Sequence, residues 1–222
     1  AAYAEKAKSK GVNILHLNIG QPDINAPVEA LNAVTKSKLK LLPYGPSQGP
    51  LSYRKSLCKY YSSHDIKLNP DQIVITTGAS EALTFCLNVI CDANDEIIIP
   101  EPFYANYNGF TNSCSVNIEP ILCDINKNFQ LPDISQFEAK ISKKTKAILI
   151  CNPGNPTGAL YSLTELKLLA KVIKKHDLFL IADEVYREFV YDKHDHHSVL
   201  ELENIRSNTI IIDSVSKRYS MC

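Results

Sequence analysis

The sequence predicts an α/β protein in three layers, with a mostly parallel sheet flanked by helices. Three observations carry that prediction. From residue 73 onward, short apolar runs alternate with stretches patterned at the helical period, in the order strand, helix, strand. The runs Ile97-Ile98-Ile99 and Ala147-Ile148-Leu149-Ile150-Cys151 are apolar throughout, as strands covered on both faces are. Nearly every run ends in a turn that carries small, polar or ionisable residues, and ligands of open α/β sheets collect beyond the carboxyl ends of strands.

Bulk properties narrow the class. The chain has 222 residues, 45% hydrophobic and 22% charged, which suits one large domain or one and a half. Formal net charge is zero, so there is no electrostatic case for nucleic acid or an acidic membrane surface as partner. Seven cysteines, an odd number with no CxxC pair, point to a reducing compartment rather than a disulfide framework or zinc ribbon. Cys58, Cys86, Cys91 and Cys151 read as small buried hydrophobes. No apolar run reaches membrane-spanning length and residues 1–20 carry no signal-peptide pattern, so the expected location is cytoplasmic. The chain starts without methionine and ends at Met221-Cys222 inside an element, which predicts a longer natural protein.

Residues 3–10 read as a helix end closed by Gly11, and residues 13–18 alternate like a short strand. Ile19-Gly20-Gln21-Pro22-Asp23 breaks the pattern, and Gly20 lets a ligand approach the backbone. Residues 27–38 predict a short helix from Pro27. The breaker-rich run Pro43 to Pro50 separates an N-terminal arm, residues 1–45, from a main domain, residues 46–222. Residues 51–63 predict an amphipathic helix with Leu51, Leu57, Cys58 and Tyr61 inward.

The alternating region follows. Ile73-Val74-Ile75-Thr76 predicts a strand, and Thr77-Gly78-Ala79-Ser80-Glu81 turns into a helix over 82–90. Small residues there leave several amide N–H groups at the positive end of the helix dipole, which makes a phosphate cradle; taken alone, Ser80 reads as an N-cap. The strand at Ile97 ends in Pro100-Glu101-Pro102-Phe103-Tyr104, whose aromatics either pack or stack on a flat ring. Residues 116–122 predict a strand and 134–141 a weakly capped helix. The apolar strand at Ala147 runs into Asn152-Pro153-Gly154-Asn155-Pro156-Thr157-Gly158, a rigid loop able to hold an amide side chain at a fixed angle. Residues 162–176 predict a helix with Leu163, Leu166, Leu169, Ala170 and Ile173 inward, capped near Ser162. Residues 178–182 predict a strand ending in Asp183-Glu184-Val185-Tyr186. His194, Asp195, His196 and His197 lie in a polar loop, which reads as solvated rather than as a metal site.

Ile210-Ile211-Ile212 runs as a short strand into Asp213-Ser214-Val215-Ser216-Lys217-Arg218. A lone Ser-x-Ser-Lys is ordinary. At a strand end, Lys217 is placed to act as a nucleophile and form a Schiff base with an aldehyde cofactor. Ser80, Tyr104, Asn155, Asp183, Tyr186 and Lys217 all follow strands, whose ends converge on one crevice in a doubly wound sheet. A lysine for an aldehyde, an acid for a pyridinium proton, a phosphate cradle and a stacking ring together describe pyridoxal 5'-phosphate.

At these motifs the sequence resembles the fold-type I, class I/II aminotransferases, near the aspartate aminotransferase group. The matching text is Asn-Ile-Gly-Gln-Pro-Asp at 18–23, Tyr44, Thr-Gly-Ala-Ser-Glu-Ala at 77–82, Asn-Pro-Gly-Asn-Pro-Thr-Gly at 152–158, Asp-Glu-Val-Tyr at 183–186 and Ser-Val-Ser-Lys at 214–217. The resemblance implies Lys217, Asp183 and Tyr186 as catalytic residues: Lys217 the Schiff-base lysine and proton shuttle, Asp183 the partner of the pyridinium nitrogen. Tyr186 and Asn155 would bond the ring's phenolic oxygen; Ala79, Ser80 and Ser214 would hold the phosphate. Tyr104 takes a stacking position where many relatives carry tryptophan. Gly20 and Asn155 would meet the substrate. Tyr44 would reach the phosphate of a neighbouring subunit, which implies a homodimer, and the Glu101-Pro102 and Asn155-Pro156 bonds would be cis. Relatives also carry, past this lysine, one arginine for the phosphate and another for the substrate carboxylate; both positions fall beyond Cys222.

The implied reaction is amino-group transfer between an L-amino acid, aspartate first, and a 2-oxo acid, 2-oxoglutarate first. Three alternatives stand beside it: another pyridoxal phosphate reaction on the same scaffold (carbon–sulfur lyase, decarboxylase or synthase), a non-catalytic regulatory module, and a nicotinamide-dependent dehydrogenase. The last lacks a glycine fingerprint and leaves Lys217 unexplained.

Overall fold

The computed structural model of the chain describes residues 2–16 and 20–222. In chain order the elements are α1 (Ala2–Lys8), α2 (Val28–Thr35), α3 (Leu51–Ser62), α4 (Ala79–Ile90), β1 (Glu96–Glu101), α5 (Tyr107–Ser113), β2 (Asn117–Leu122), α6 (Ile134–Lys140), β3 (Thr145–Cys151), α7 (Leu163–His176), β4 (Phe179–Asp183), β5 (Thr209–Ile212) and α8 (Val215–Arg218). The five strands form one parallel sheet in the order β2-β1-β3-β4-β5. The order reverses between β1 and β3, where a doubly wound sheet opens a crevice beyond its strand ends. Register sharpens the placement: Cys151 lies opposite Asp183, and Asp183 opposite Ile212, so three strands end level.

Alternation along each strand builds two cores. Ile98, Ile148, Ile150 and Leu180 pack against Phe137 of α6 and Leu166, Leu169 and Ile173 of α7. Ile97, Ile99, Leu149 and Ile181 face the opposite layer, against Leu83 and Leu87 of α4 and Tyr107 of α5. Each such side chain, fully buried, contributes about 1.5–3 kcal/mol. The predicted cap of α7 is realised as a capping box: Ser162 Oγ accepts from Glu165 N at 3.3 Å, and Glu165 Oε2 accepts from Ser162 N at 2.8 Å.

Several expectations change. Residues 73–76 run extended but join no sheet; Ile75 N donates instead to Gln48 O at 3.0 Å, and Val74 is exposed. Their apolar pattern is real, yet a strand needs a neighbour to pair with, and a cavity of about 500 Å³ separates them from β5. Residues 13–16 form no strand, and residues 17 and 18 of that expectation lie outside the described residues. Leu51 is exposed, and the buried side chains of α3 are Arg54 and Tyr61. Arg54 donates to Pro70 O at 2.7 Å and Gly49 O at 3.2 Å, tying α3 to its flanking loops. Helix α5 has no counterpart among the expected elements, because Tyr-Asn-Gly-Phe-Thr-Asn-Ser offers weak propensity and packing alone holds it. Of the cysteines read as buried, Cys151 is; Cys58, Cys86 and Cys91 are partly exposed, and Cys123 is buried instead. Helices α1 and α2 bury none of their residues.

Gly49 joins the loop to residue 75. Its φ is +87°, and an added Cβ would lie 2.5 Å from Ile75 Cβ. Gly49→Ala is therefore expected to destabilise by about 2–4 kcal/mol in urea unfolding, from a left-handed Cβ plus overpacking. Gly45→Ala, with open space around it, is the control and should change little.

Candidate functional site

A cleft of about 1290 Å³ opens beyond the strand ends. Gly20, Ala79, Ser80, Tyr104, Asn155, Asp183, Tyr186, Ser214 and Lys217, singled out along the sequence, all line it. Tyr44 does not; its side chain is fully exposed.

Local geometry explains each placement. Lys217 sits on the short helix α8, capped by Ser214, whose Oγ accepts from Ser216 N at 3.1 Å. Its Nζ donates to Gly20 O at 2.6 Å, and a Cβ on Gly20 would come within 3.9 Å of that nitrogen and 3.5 Å of Tyr186 Oη. Both are ordinary contact distances, so what Gly20 gives the lysine is its carbonyl rather than space. Helix α4 starts at Ala79 with Gly78 as cap, at φ 147° and ψ 177°. Ser80 is therefore in the first turn, not the N-cap, because glycine takes the extreme cap conformation. The first helical bond is Ala82 N to Gly78 O at 3.1 Å, which leaves the first-turn amides of Ala79, Ser80 and Glu81 without a helical acceptor, while Thr77 N donates to Glu81 Oε2 at 2.6 Å.

Asp183 ends β4 and is nine-tenths buried. Burial raises its pKa; hydrogen bonds from Tyr107 and from Val185 N pull the other way. Tyr107 Oη donates to Oδ2 at 2.7 Å, and Val185 N to Oδ1 at 3.3 Å. Tyr107 goes unmarked in the sequence because α5 does; a tyrosine three residues past Tyr104 is its only trace. Burial also raises the Tyr107 and Tyr186 hydroxyl pKa values, with Asp183 adding to both. Tyr104 packs edge-on against Tyr107, ring centroids 5.5 Å apart, and its hydroxyl accepts from Asn106 Nδ2 at 2.7 Å.

The two asparagines of the Asn-Pro loop separate. Asn152 is fully buried: its N donates to Asp183 O at 2.9 Å and its Oδ1 accepts from Tyr161 N at 2.9 Å. Asn152 anchors the loop, and Asn155 is left to face the cleft. The Glu101-Pro102 and Asn155-Pro156 bonds are cis as expected, and Asn152-Pro153 is cis too.

The histidine loop is not simply solvated. His196 Nε2 lies 3.1 Å from Asn152 O, and burial together with Arg187 lowers its pKa to about 4. Between pH 4 and 6.5 the unfolded chain binds the proton that the folded chain refuses. Its stabilising contribution is therefore present above pH 6.5 and lost on acidification, on the order of 2–3 kcal/mol. His196→Gln should blunt that acid loss in urea unfolding measured at pH 7 and pH 4.5; an equally steep loss in the variant would contradict it. Among the described residues no group of three or more His, Cys, Asp and Glu could hold a metal ion. Nor is any helix among them long and apolar enough to cross a membrane.

Residues 12–222 match the family model described as aminotransferase class I and II. The chain belongs to that family. This member is 35% identical over 236 residues to the putative aminotransferase YugH of Bacillus subtilis, covering 99% of the chain and 60% of that protein. It is 33% identical to an aspartate aminotransferase of the same organism (99% and 56%) and 31% identical to the glutamate-pyruvate aminotransferase AlaA of Escherichia coli (97% and 54%). The solved aspartate aminotransferase from Thermotoga maritima superposes with a TM-score of 0.90 at 29% identity, over 99% of this chain and 59% of that one. The aminotransferase chain described here thus spans a little over half the length of these relatives.

Proposed function

We propose that the full-length protein moves an amino group between an L-amino acid and a 2-oxo acid with pyridoxal 5'-phosphate as cofactor. One observation carries this reading: the Lys217 amine and the buried Asp183 carboxylate face one cleft beside the open amides of α4. The donor set fits the group. Among the lining residues Lys217 carries an amine that captures a carbonyl once it has given up its proton, and Asp183 is a buried acid whose charged form a ring N–H⁺ would stabilise. The N-terminal turn of α4 and the Ser214 hydroxyl offer donors to a phosphate. When bound, the cofactor supplies an aldehyde for amine capture and a ring that accepts an electron pair.

The chain's residues would do the rest. Lys217 Nζ carries a proton to and from the substrate α-carbon, general acid–base work worth about 10²–10⁴-fold. Asp183 keeps the ring nitrogen protonated. Tyr186 and Asn155 bond the ring's phenolic oxygen, Ala79, Ser80 and Ser214 hold the phosphate, and the Tyr104 ring stacks on the cofactor. Gly20 and Asn155 meet the substrate. Tyr44, which is exposed and does not line its own cleft, serves the partner's cleft in a homodimer, and residues 1–45 form the arm that delivers it while residues 46–222 form the cofactor domain.

Aspartate with 2-oxoglutarate is the first pair to test, with alanine and 2-oxoglutarate second given the names that relatives carry. The full-length protein should yield glutamate and the matching 2-oxo acid only when an acceptor is present. Ammonia and pyruvate released without acceptor would mark a lyase and overturn the transferase reading.

A further inference from the structure

Helix α8 has only four residues, too few to hold its own shape in water. Something outside it must set the direction of Lys217. The next residue, Arg218, lies about 100° further round the turn. Lys217 lines the cleft, whereas Arg218 lines the adjoining cavity, and Ser214 and Ser216 stand between the two. The Arg218 side chain is only 7% exposed, an unusual state for arginine unless it is paired.

Its partners close the turn on itself. Arg218 Nη2 donates to both Asp213 oxygens at 2.9 Å. Asp213 is filled from two further sides: Ser214 N donates to Oδ1 at 2.7 Å and Tyr61 Oη to Oδ2 at 2.8 Å. The guanidinium lies over the Tyr60 ring, 4.3 Å from its centroid, and Arg218 Nε is 3.6 Å from Glu188 Oε1. Tyr60 in turn donates to that same Glu188 oxygen, and His64 Nε2 stands 3.5 Å from it. Asp213 is thus tied to α3 by the charge-assisted bond from Tyr61, and Arg218 by its guanidinium over the Tyr60 ring. Burial lowers the Arg218 pKa, but Asp213 more than offsets it and the net shift is upward.

We propose that Arg218, acting through Asp213 and Tyr61, is a positioning residue that aims the Lys217 amine into the cleft. The inference rests on the reading of Lys217 as the carbonyl-capturing amine. It adds that the turn carrying the lysine is set from α3, whereas the cleft-lining Gly20 O holds only the tip of the side chain.

The test uses the full-length protein, freed of cofactor, as wild type, Arg218→Met and Arg218→Lys. Two ligands separate aim from binding. Pyridoxal 5'-phosphate reports covalent capture by its absorbance change; pyridoxamine 5'-phosphate has the ring and phosphate but no aldehyde, so it reports the site alone. Arg218→Met is expected to slow capture by about 10- to 100-fold, the scale of a small misplacement of a reacting group. Its affinity for pyridoxamine 5'-phosphate should stay close to wild type, and Arg218→Lys should recover part of the rate. Equal losses with both ligands, or no loss with either, would overturn the proposal.

Amide hydrogen exchange of the cofactor-free protein supplies a readout that needs no capture chemistry. Arg218→Met should speed exchange across 213–218 while the sheet amides hold; unchanged exchange there sinks the clamp. If wild type captures no aldehyde at Lys217, the functional reading falls, and the exchange result still decides the clamp. Should Arg218→Met fail to fold, Asp213→Asn with Arg218→Met removes both charges and serves in its place, with the same expected results.

Discussion

Lys217→Ala in the full-length protein is expected to remove nearly all turnover and all covalent attachment of cofactor. Borohydride reduction of the wild type with pyridoxal 5'-phosphate should leave a pyridoxyl group on the peptide containing Lys217, and the variant should carry none. The expected loss exceeds the ~10²–10⁴-fold of a general acid–base group alone, because the same amine also performs the capture. The geometry offers no substitute: among the described residues lining the cleft, the other ionisable groups include the carboxylates Glu81 and Asp183 and the hydroxyls of Tyr104 and Tyr186, but no second amine. Normal turnover in the variant, or label on another peptide, would remove the basis of the functional reading.

Asp183→Asn is expected to separate activity from stability. Burial raises the carboxyl pKa, so the folded chain holds its proton to a higher pH than the unfolded chain does. The contribution of Asp183 to stability is thus fully present below the unfolded pKa and lost as pH rises through the folded one. Ionising a buried carboxyl costs stability, and the chain bears that cost once the pH exceeds the raised pKa. Asparagine carries no charge and can keep its oxygen on Tyr107 Oη, which now donates to Asp183 Oδ2 at 2.7 Å. It gives up the bond that Oδ1 accepts from Val185 N, which at 3.3 Å is long and weak, and the lost charge offsets that. Unfolding at neutral pH should therefore be as hard as in wild type or harder. Turnover should fall by about 10²–10³-fold, the usual cost of removing one preorganised electrostatic partner from a dry site. A residue retained against stability is the pattern expected of a functional group. Unchanged turnover would dispose of the pyridinium partnership, and a large loss of stability would mean that Asp183 is structural.

Much of this is legible in the chain. Strands β1, β3, β4 and β5 are marked by short apolar runs, and α7 by its period and its Ser162–Glu165 box. Such signals are local: they depend on residues a few positions apart. Features set by distant neighbours leave weaker marks. Residues 73–76 carry a strand's pattern and pair with no strand, because pairing depends on what lies alongside. The weak helix α5 forms because Tyr107 finds a place under the sheet. The two asparagines of the Asn-Pro loop look alike in sequence, yet one is wholly buried and the other reaches the cleft.

The sequence by itself determined the α/β alternation and the positions of Asp183, Tyr186 and Lys217 at or just past strand ends, since periodicity and punctuation are written residue by residue. Only the tertiary structure decided which groups hold them: Tyr107 on Asp183, 76 positions away in sequence, and Tyr61 on Asp213, 152 positions away. Hydrogen bonds at such separations leave no periodic mark on a chain. They exist only once the sheet has brought its level strand ends and α3 together.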